Sequence, residues 1–440
     1  MKNSGLQDAA TLAIDYAKSR GATAADVEVS TSVGQNVTVR LDEVETIEHN
    51  RDKGLGISVY LGQQRGNAST TDLSRQAIEH TVDAALAIAK YTAADEFAGL
   101  PDVQMLAKGP FPGLDLYHAW QPSIDEAVVI CREMEAAAFA VDKRVDNSEG
   151  ATLSTYESDF IYANSLGFMG GYATTRHSAS VTVIATTDTG MQRDHWYSVA
   201  RAKTDLESAK TIGMRAGQRA VARLNSKRTA TREAPVVFDA TVSPSLIGAF
   251  VRAVSGSALY RKSSFLLDSI GTQVFSNRIS IVEDPFMLKG LASGPFDAEG
   301  VATVKRDVVT AGVLQGYFLS TYSARKLGLK STGNAGGNHN LIVTDDGMSL
   351  QDLFRRMGRG LYVTETMGHG ANNVTGDYSL GAAGFWIEGG EIAYPVEEIT
   401  IAGNLRDMFK GILAVANDAL PYGSKRVGSI LLEQMAIAGE

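Results

Sequence analysis

Ser243–Phe265 reads SPSLIGAFVRAVSGSALYRKSSF, and the character of the second half of the chain turns on it. Ser243 suits an N-cap, and Pro244 suits the first helical position, where the missing N–H would be unsatisfied anyway. Leu246, Phe250 and Val254 fall on one face of the expected helix, with Ile247 and Val251 beside them, and Gly256 suits its C′ position. Arg252 is the only charge in the helix proper, so the pattern predicts burial nearly all round. A buried helix at the head of a domain is a natural mount for catalytic side chains. This one offers none: no His, Asp, Glu or Cys lies between Ser243 and Tyr260.

Upstream of it, Leu6, Ala10, Ala13, Ile14 and Ala17 form the stripe of a first helix, closed by Gly21. Asp26–Leu41 alternates on either side of Gly34-Gln35 and reads as a hairpin, followed by a strand at Glu43–His49 and, after a turn at Lys53-Gly54, another at Gly56–Leu61. Asp72–Tyr91 is a second helix. Ser123 and Glu126 form a capping box for a third, whose stripe includes Ala127, Cys131, Met134 and Ala138. Strands fill Gly150–Arg201, a helix follows at Leu206–Leu224, and the polar run Asn225–Glu233 marks a boundary. Beyond it, Pro235–Asp239 leads into the opening helix, and strands dominate. Ala383–Glu388 and Glu391–Tyr394 pair across Gly389-Gly390, Leu405–Ala416 reads as a helix, and Gly428–Ala436 as a last strand.

The expected fold is therefore α+β. An N-terminal helix and antiparallel-sheet domain (1–225) joins through a linker (226–234) to a mostly β C-terminal domain (235–440) with a curved or barrel-like sheet. No repeat is evident in the sequence itself.

With 440 residues, 44% apolar and 21% charged, two soluble globular domains are expected. A net charge of −9 and the lack of a long basic run argue against direct nucleic-acid binding. The opening MKNSGLQDAATLAIDYAKSRG has no apolar signal core, and no run approaches the ~20 apolar residues of a membrane span, so a cytoplasmic protein is expected. The single cysteine, Cys131, lies on an apolar stripe and reads as a buried structural thiol.

Chemistry is sparse. The seven histidines (49, 80, 118, 177, 195, 339, 369) include no pair three to five residues apart on a helix, and His177 and His195 fall on neighbouring strands. A self-contained zinc site, with two histidines a turn apart and a carboxylate base, is not indicated. Tyr322-Ser323-Ala324-Arg325-Lys326 fits both Ser-x-x-Lys and Tyr-x-x-x-Lys, but the companion motifs of either chemistry are missing, and a helix start with basic side chains is the plain alternative. Ser331–Asn340 (STGNAGGNHN) lacks phosphate-loop spacing; its glycines and amides suit either a cleft for a peptide backbone or an irregular turn. Thr366–Asp377 is a second polar, Gly-rich loop.

Several long runs carry a resemblance. They are LYRKSSFLLDSIG (259–271), LKGLASGPFDAEGV (288–301), STYSARKLGLKSTGNAGGNHN (320–340), TGDYSLGAAGFWIEGGEIAYPVEEITIAGNL (375–405) and LLEQMAIAGE (431–440). VRLDEVETIEHN (39–50), GISVYLGQQRGNASTTDLS (56–74) and TTRHSAS (174–180) extend it through the N-terminal half. Together they resemble the TldD/PmbA metalloprotease family, on its PmbA/TldE side. The resemblance implies a partnership with a TldD-type sister subunit in a peptidase that trims unfolded peptides, microcin precursors and an antitoxin among them. It implies that zinc sits in the sister, on a His-Glu-x-x-x-His helix, and that this chain carries no cofactor.

Matching the segment that follows that helix onto Arg261-Lys262 places the motif at Gly248, Ala249 and Ala253, with the sister's third ligand, a cysteine, near Tyr422. None of these four is a zinc ligand. Arg261, Lys262, Gly336, Gly337, Asn338, His339, Asn340 and His369 are the expected substrate or interface contacts. An isolated chain is expected to pair with itself through the surface meant for the sister. Two rivals stand beside this: an independent hydrolase using Ser323 and Lys326, and a non-enzymatic module acting on a toxin–antitoxin pair or on DNA gyrase.

Overall fold

The computed structural model describes residues 4–188 and 190–439. The N-terminal half runs α1 (Ser4–Ser19), β1 (Ala24–Arg40), β2 (Glu43–Leu61), β3 (Gln64–Thr70) and α2 (Arg75–Tyr91). After a long connection it repeats the plan with α3 (Ile124–Phe139), β4 (Val145–Asn164), β5 (Met169–Thr187), β6 (Gly190–Ala200) and α4 (Ala209–Ala222). The strands form one six-stranded antiparallel sheet in the order β3-β2-β1-β4-β5-β6, so two α-β-β-β-α units meet at the β1–β4 pair. The sequence shows no repeat, yet the topology does.

Two expected turns are absent. Gly34-Gln35 lies mid-strand, with Gly34 paired to Asn50 and Tyr156, and Lys53-Gly54 lies opposite Thr31 and Ser30. The reason is parity: Val27, Val29, Val37 and Val39 are all odd-numbered and all fully buried, so the period of two runs unbroken through Gly34. The first pair packs with α1 and α2, the second with α3 and α4, so one strand serves two cores. The turn falls instead at Leu41-Asp42, both with positive φ (51° and 68°). Their amides donate to the buried carboxylate of Glu135 on α3 at 3.1 and 3.2 Å, which holds a turn that carries no glycine. Cys131 is buried on the same helix, and desolvation pushes its thiol up to about 12, as suits a structural cysteine.

The C-terminal half begins with β7 (Arg232–Phe238), α5 (Ser243–Ala253), α6 (Gly256–Tyr260), β8 (Ile281–Asp284), β9 (Arg306–Thr310) and β10 (Val313–Leu314). It continues with α7 (Thr321–Lys326), β11 (Asn340–Val343), α8 (Leu350–Met357), β12 (Gly360–Met367), β13 (Asp377–Glu388) and β14 (Glu391–Asn404). It closes with α9 (Leu405–Lys410), β15 (Ile412–Val415), β16 (Lys425–Arg426) and β17 (Ile430–Ala438). Strands β14-β13-β12-β7-β17 are neighbours in that order, and β14 also pairs with β17, so the sheet closes on itself as a barrel. A second sheet, β10-β9-β8-β11-β16, lies beside it. The helix expected over Leu405–Ala416 stops at Lys410; past Gly411 the chain becomes β15 and pairs with β17.

Helix α5 differs from expectation at both ends. Val242 is the N-cap, and the Ser243 hydroxyl is buried and donates to the Val427 carbonyl at 3.4 Å. Val254 closes the helix, and Gly256 opens α6, where a Cβ would stand 2.2 Å from the Ser323 hydroxyl. The buried face of α5 carries Leu246, Ile247, Ala249, Phe250 and Ala253. Phe250 meets Phe275 edge-on at 4.9 Å, and Phe275 stacks on Phe409 at 4.6 Å. Because Phe250 is fully buried at the centre of this stack, Phe250→Ala is expected to lower unfolding free energy by about 3–5 kcal/mol, read from urea titration.

Candidate functional site

The unburied side of α5 opens on a cavity of about 410 Å³, lined among others by Tyr197, Gly248, Arg252, Leu420, Tyr422 and Lys425. Gly248 is the floor. A Cβ built there would lie 3.6 Å from Arg252 Nη1 and 3.8 Å from Lys425 Cε, so two cationic side chains converge on the space that glycine leaves. Its φ is not in the left-handed region, and a mid-helix glycine gives up about 0.5–1 kcal/mol relative to alanine. Room, rather than backbone conformation, is what the residue provides.

Lys425 is half-buried on β16, and burial together with the nearby Arg252 charge lowers its pKa. Tyr422 donates to Glu207 at 2.5 Å, and its ring lies 5.3 Å from that of Tyr197. Burial and the Glu207 carboxylate raise the Tyr422 pKa, holding the phenol protonated. Glu207 is further engaged by Trp196 and Arg215. Behind Ala240 and Thr241 of the lining, the buried Asp239 receives Thr241 and the Tyr362 hydroxyl, and its backbone carbonyl accepts the Val242 and Ser243 amides that start α5.

Of the four positions aligned with zinc ligands or base, Gly248 and Tyr422 share this cavity. Ala249 and Ala253 do not: both are buried in the core on the opposite face (3% and 0% exposed). The residue one turn on from Gly248 that shares its face is Arg252, whereas Ala253 faces the core. A zinc ion does not fit this donor set. A guanidinium and an ammonium repel a cation, and the phenol is committed to Glu207. Among the described residues, no three His, Cys, Asp or Glu side chains form a metal-holding group.

The Gly-rich loop splits in function. Gly336, Gly337 and Asn338 line a separate cavity of about 360 Å³ with Ser257, Tyr260 and Tyr322. His339 turns inward, its ring nitrogens 3.2 and 3.0 Å from the carbonyls of Ala292 and Gly333. Asn340 is buried and bridges Ala292, Asp284 and Ser293. Behind the loop, the buried Glu283 receives Arg306, the Asn334 amide and the His339 N–H, a charged anchor that the sequence did not announce. Arg261, Lys262 and His369 are exposed; Arg261 lies beside Tyr260.

Tyr322 and Lys326 have a structural occupation. The Tyr322 hydroxyl donates to Asp95 at 2.7 Å, Lys326 lies 3.7 Å from Asp95 and over the Phe97 ring, and Arg325 donates to the Leu100 carbonyl at 2.7 Å. Ser323 spends its hydroxyl in the capping box of α7 with Ser320. This clasp binds the C-terminal half to the connection after α2, above a polar cavity of about 820 Å³. There burial, with Glu299 adding to it, pushes the Asp26 carboxyl up to about 6 against the opposing pull of Arg65 and Tyr60. His177 is fully buried, one nitrogen 2.9 Å from the His118 carbonyl, and it lies opposite Ala200 rather than His195.

Three profiles of one family cover the chain, described as PmbA/TldA metallopeptidase domain 1 (residues 25–89), central domain (117–224) and C-terminal domain (231–439). The Metalloprotease PmbA of Escherichia coli O157:H7 is 46% identical over 435 residues, 99% of this chain and 96% of that one. The Metalloprotease PmbA homolog of Haemophilus influenzae is 46% identical with the same coverage. Among solved structures, a protein of Bacteroides thetaiotaomicron described as a candidate modulator of DNA gyrase superposes with a TM-score of 0.93 at 29% identity, covering 99% of both chains. TldE of Thermococcus kodakarensis, at 21% identity and a TM-score of 0.83 over 99% of this chain and 100% of that one, shares the fold.

Two outcomes follow from the site's burial pattern. Ala249→Glu and Ala253→His place polar groups in the core, so each is expected to cost about 2–4 kcal/mol of stability and to recruit no zinc, read by denaturation and metal analysis. A native carboxyl raised to about 6 keeps its proton where the unfolded chain has lost it, so the Asp26 term lowers stability as pH rises from about 4 to 6. Asp26→Asn is therefore expected to be more stable than the parent at pH 7.5, by about 1–3 kcal/mol, and to match it at pH 4.

Proposed function

Because the chain belongs to the PmbA/TldD family of metallopeptidases, we propose that it is the zinc-free subunit of a two-subunit peptidase whose TldD-type sister holds the metal. The observation that carries this is the pair of cations over Gly248: Arg252 and Lys425 stand where a metal-binding helix face would need neutral or anionic donors. Zinc bound in the sister supplies the Lewis acid and the attacking water. This chain's part is to complete the chamber and hold an unfolded peptide in extended form. The backbone of Gly336–Asn338 and the exposed Arg261, Lys262 and His369 are its contacts. By family likeness the substrates are microcin precursors and antitoxins, handled in the cytoplasm.

A partner surface supports the pairing. The segment 43–54 of β2 pairs with β1 on one side and, among the described residues, with no strand on the other, and Leu41, Val44 and Ile47 lie exposed there. A long strand edge with apolar side chains is a surface that proteins cover. When the chain is isolated, the same edge serves a homodimer. An independent Ser323–Lys326 hydrolase finds no support in the geometry, since both groups are committed elsewhere. Regulation of a gyrase by protein contact is the second reading, favoured by the description of the Bacteroides relative.

The deciding experiment purifies the chain alone, its TldD-type sister alone, and the mixture, and measures zinc and cleavage of an unfolded peptide in each. The expected result is about one zinc per heterodimer, cleavage only in the mixture, and abolition by chelators. Stoichiometric zinc with cleavage by the lone chain overturns the proposal, and a stable complex with no cleavage in any combination favours the regulatory reading.

A further inference from the structure

We propose that the cavity over Gly248 is a carboxylate-binding site, in which Arg252 and Lys425 together grip a carboxylate of a bound peptide. Elsewhere in the fold, cations that turn inward are matched: Arg306 by Glu283, Arg219 and Arg223 by Asp194, and the buried Arg201 by the carbonyls of Thr175, Gly290 and Leu291. Arg252 and Lys425 have no carboxylate within ion-pair distance among the described residues, and each approaches the same point above Gly248. The acidic groups behind the lining are already engaged, Glu207 by Tyr422, Trp196 and Arg215, and Asp239 by Thr241 and Tyr362. Two like charges held together over a space kept open by a glycine call for an anion from outside.

The surroundings select a carboxylate on an organic chain. A guanidinium fork matches the planar, two-oxygen geometry of a carboxylate, and an ammonium adds a second point of charge. Ser245 and Ser424 supply hydroxyls at the rim, while Tyr197, Tyr422, Leu420 and Pro244 give the cavity an aromatic and apolar wall against which the rest of a peptide can lie. The choice of a peptide as bearer rests on the function proposed above, whereas the anion site rests on the two cations alone. The carboxylate comes either from the chain terminus or from an Asp or Glu side chain, and both bring the same chemistry to the same grip.

Binding of N-dansyl tetra-alanine to the full chain, followed by dansyl emission, tests this with three ligands: the free acid, its C-terminal amide, and an amidated peptide carrying one internal Glu. The free acid, the Glu peptide or both are expected to bind at least about tenfold more tightly than the plain amide, and which of them does so identifies the source. Arg252→Gln is expected to weaken that binding about tenfold. The double variant with Lys425→Gln, or Gly248→Leu, which fills the space, is expected to abolish the preference for acid. Since Arg252 is exposed, its variant keeps the parent melting temperature. Equal binding of all three peptides, or a preference for the free acid or the Glu peptide that survives in the folded Arg252→Gln/Lys425→Gln protein, overturns the proposal. The measurement uses no metal and no sister subunit, so its failure is distinct from a failure of the zinc partition.

Discussion

The face that α5 buries governs what the rest of the C-terminal domain can do. Leu246, Phe250 and Ala253 lock the helix against Phe275 and Phe409, and that packing fixes its rotation about its own axis. With the rotation set, only Gly248, Arg252 and the first turn are left to meet β16 and the Leu420–Lys425 segment. The chemistry of the cavity is thus decided by two side chains, one a turn beyond Gly248 and one from a distant strand. Here that narrow face is electropositive, with Arg252 and Lys425 brought together over Gly248.

Much of this was legible from residue order. The capping box at Ser123 and Glu126, the Gly389-Gly390 turn and the β-rich second half all appear where local chemistry puts them. What escaped was set by contacts far apart in sequence. Gly34 and Lys53-Gly54 look like turn residues, but burial parity and pairing to neighbouring strands keep them extended, while the real turn at Leu41-Asp42 depends on Glu135, a helix away. In the site, Arg252 was visible as the one charge on α5, yet nothing in the sequence placed Lys425 beside it. The inward turn of His339 and Asn340 was likewise hidden, because it answers to Glu283, Ala292 and Ser293 across the loop.

The two halves of the molecule are joined by more than the short linker. Phe296 packs among Phe111, Phe160, Phe168 and Tyr172, Arg201 reaches the carbonyls of Gly290 and Leu291, and Arg223 pairs with Glu365 at 2.5 Å. With the clasp at Tyr322, Arg325 and Lys326, these contacts hold the cavity over Gly248 in fixed relation to the N-terminal sheet. Tyr197, which lines its wall, and Glu207, which holds Tyr422 there, come from that N-terminal half. The site therefore exists only in the assembled chain.

The meeting of β1 with β4 has a consequence for how the chain folds. Asp26 lies opposite Asn164 and Val39 opposite Ala151, so the centre of the large sheet closes only after both α-β-β-β-α units are available. Until then each unit presents a long bare strand of the same architecture, and loop-closure entropy delays their union. A strand in that condition pairs as readily with the matching strand of another molecule. Exchange of whole units between chains is thus the characteristic misassembly this topology invites, and it yields an intertwined dimer with every strand satisfied.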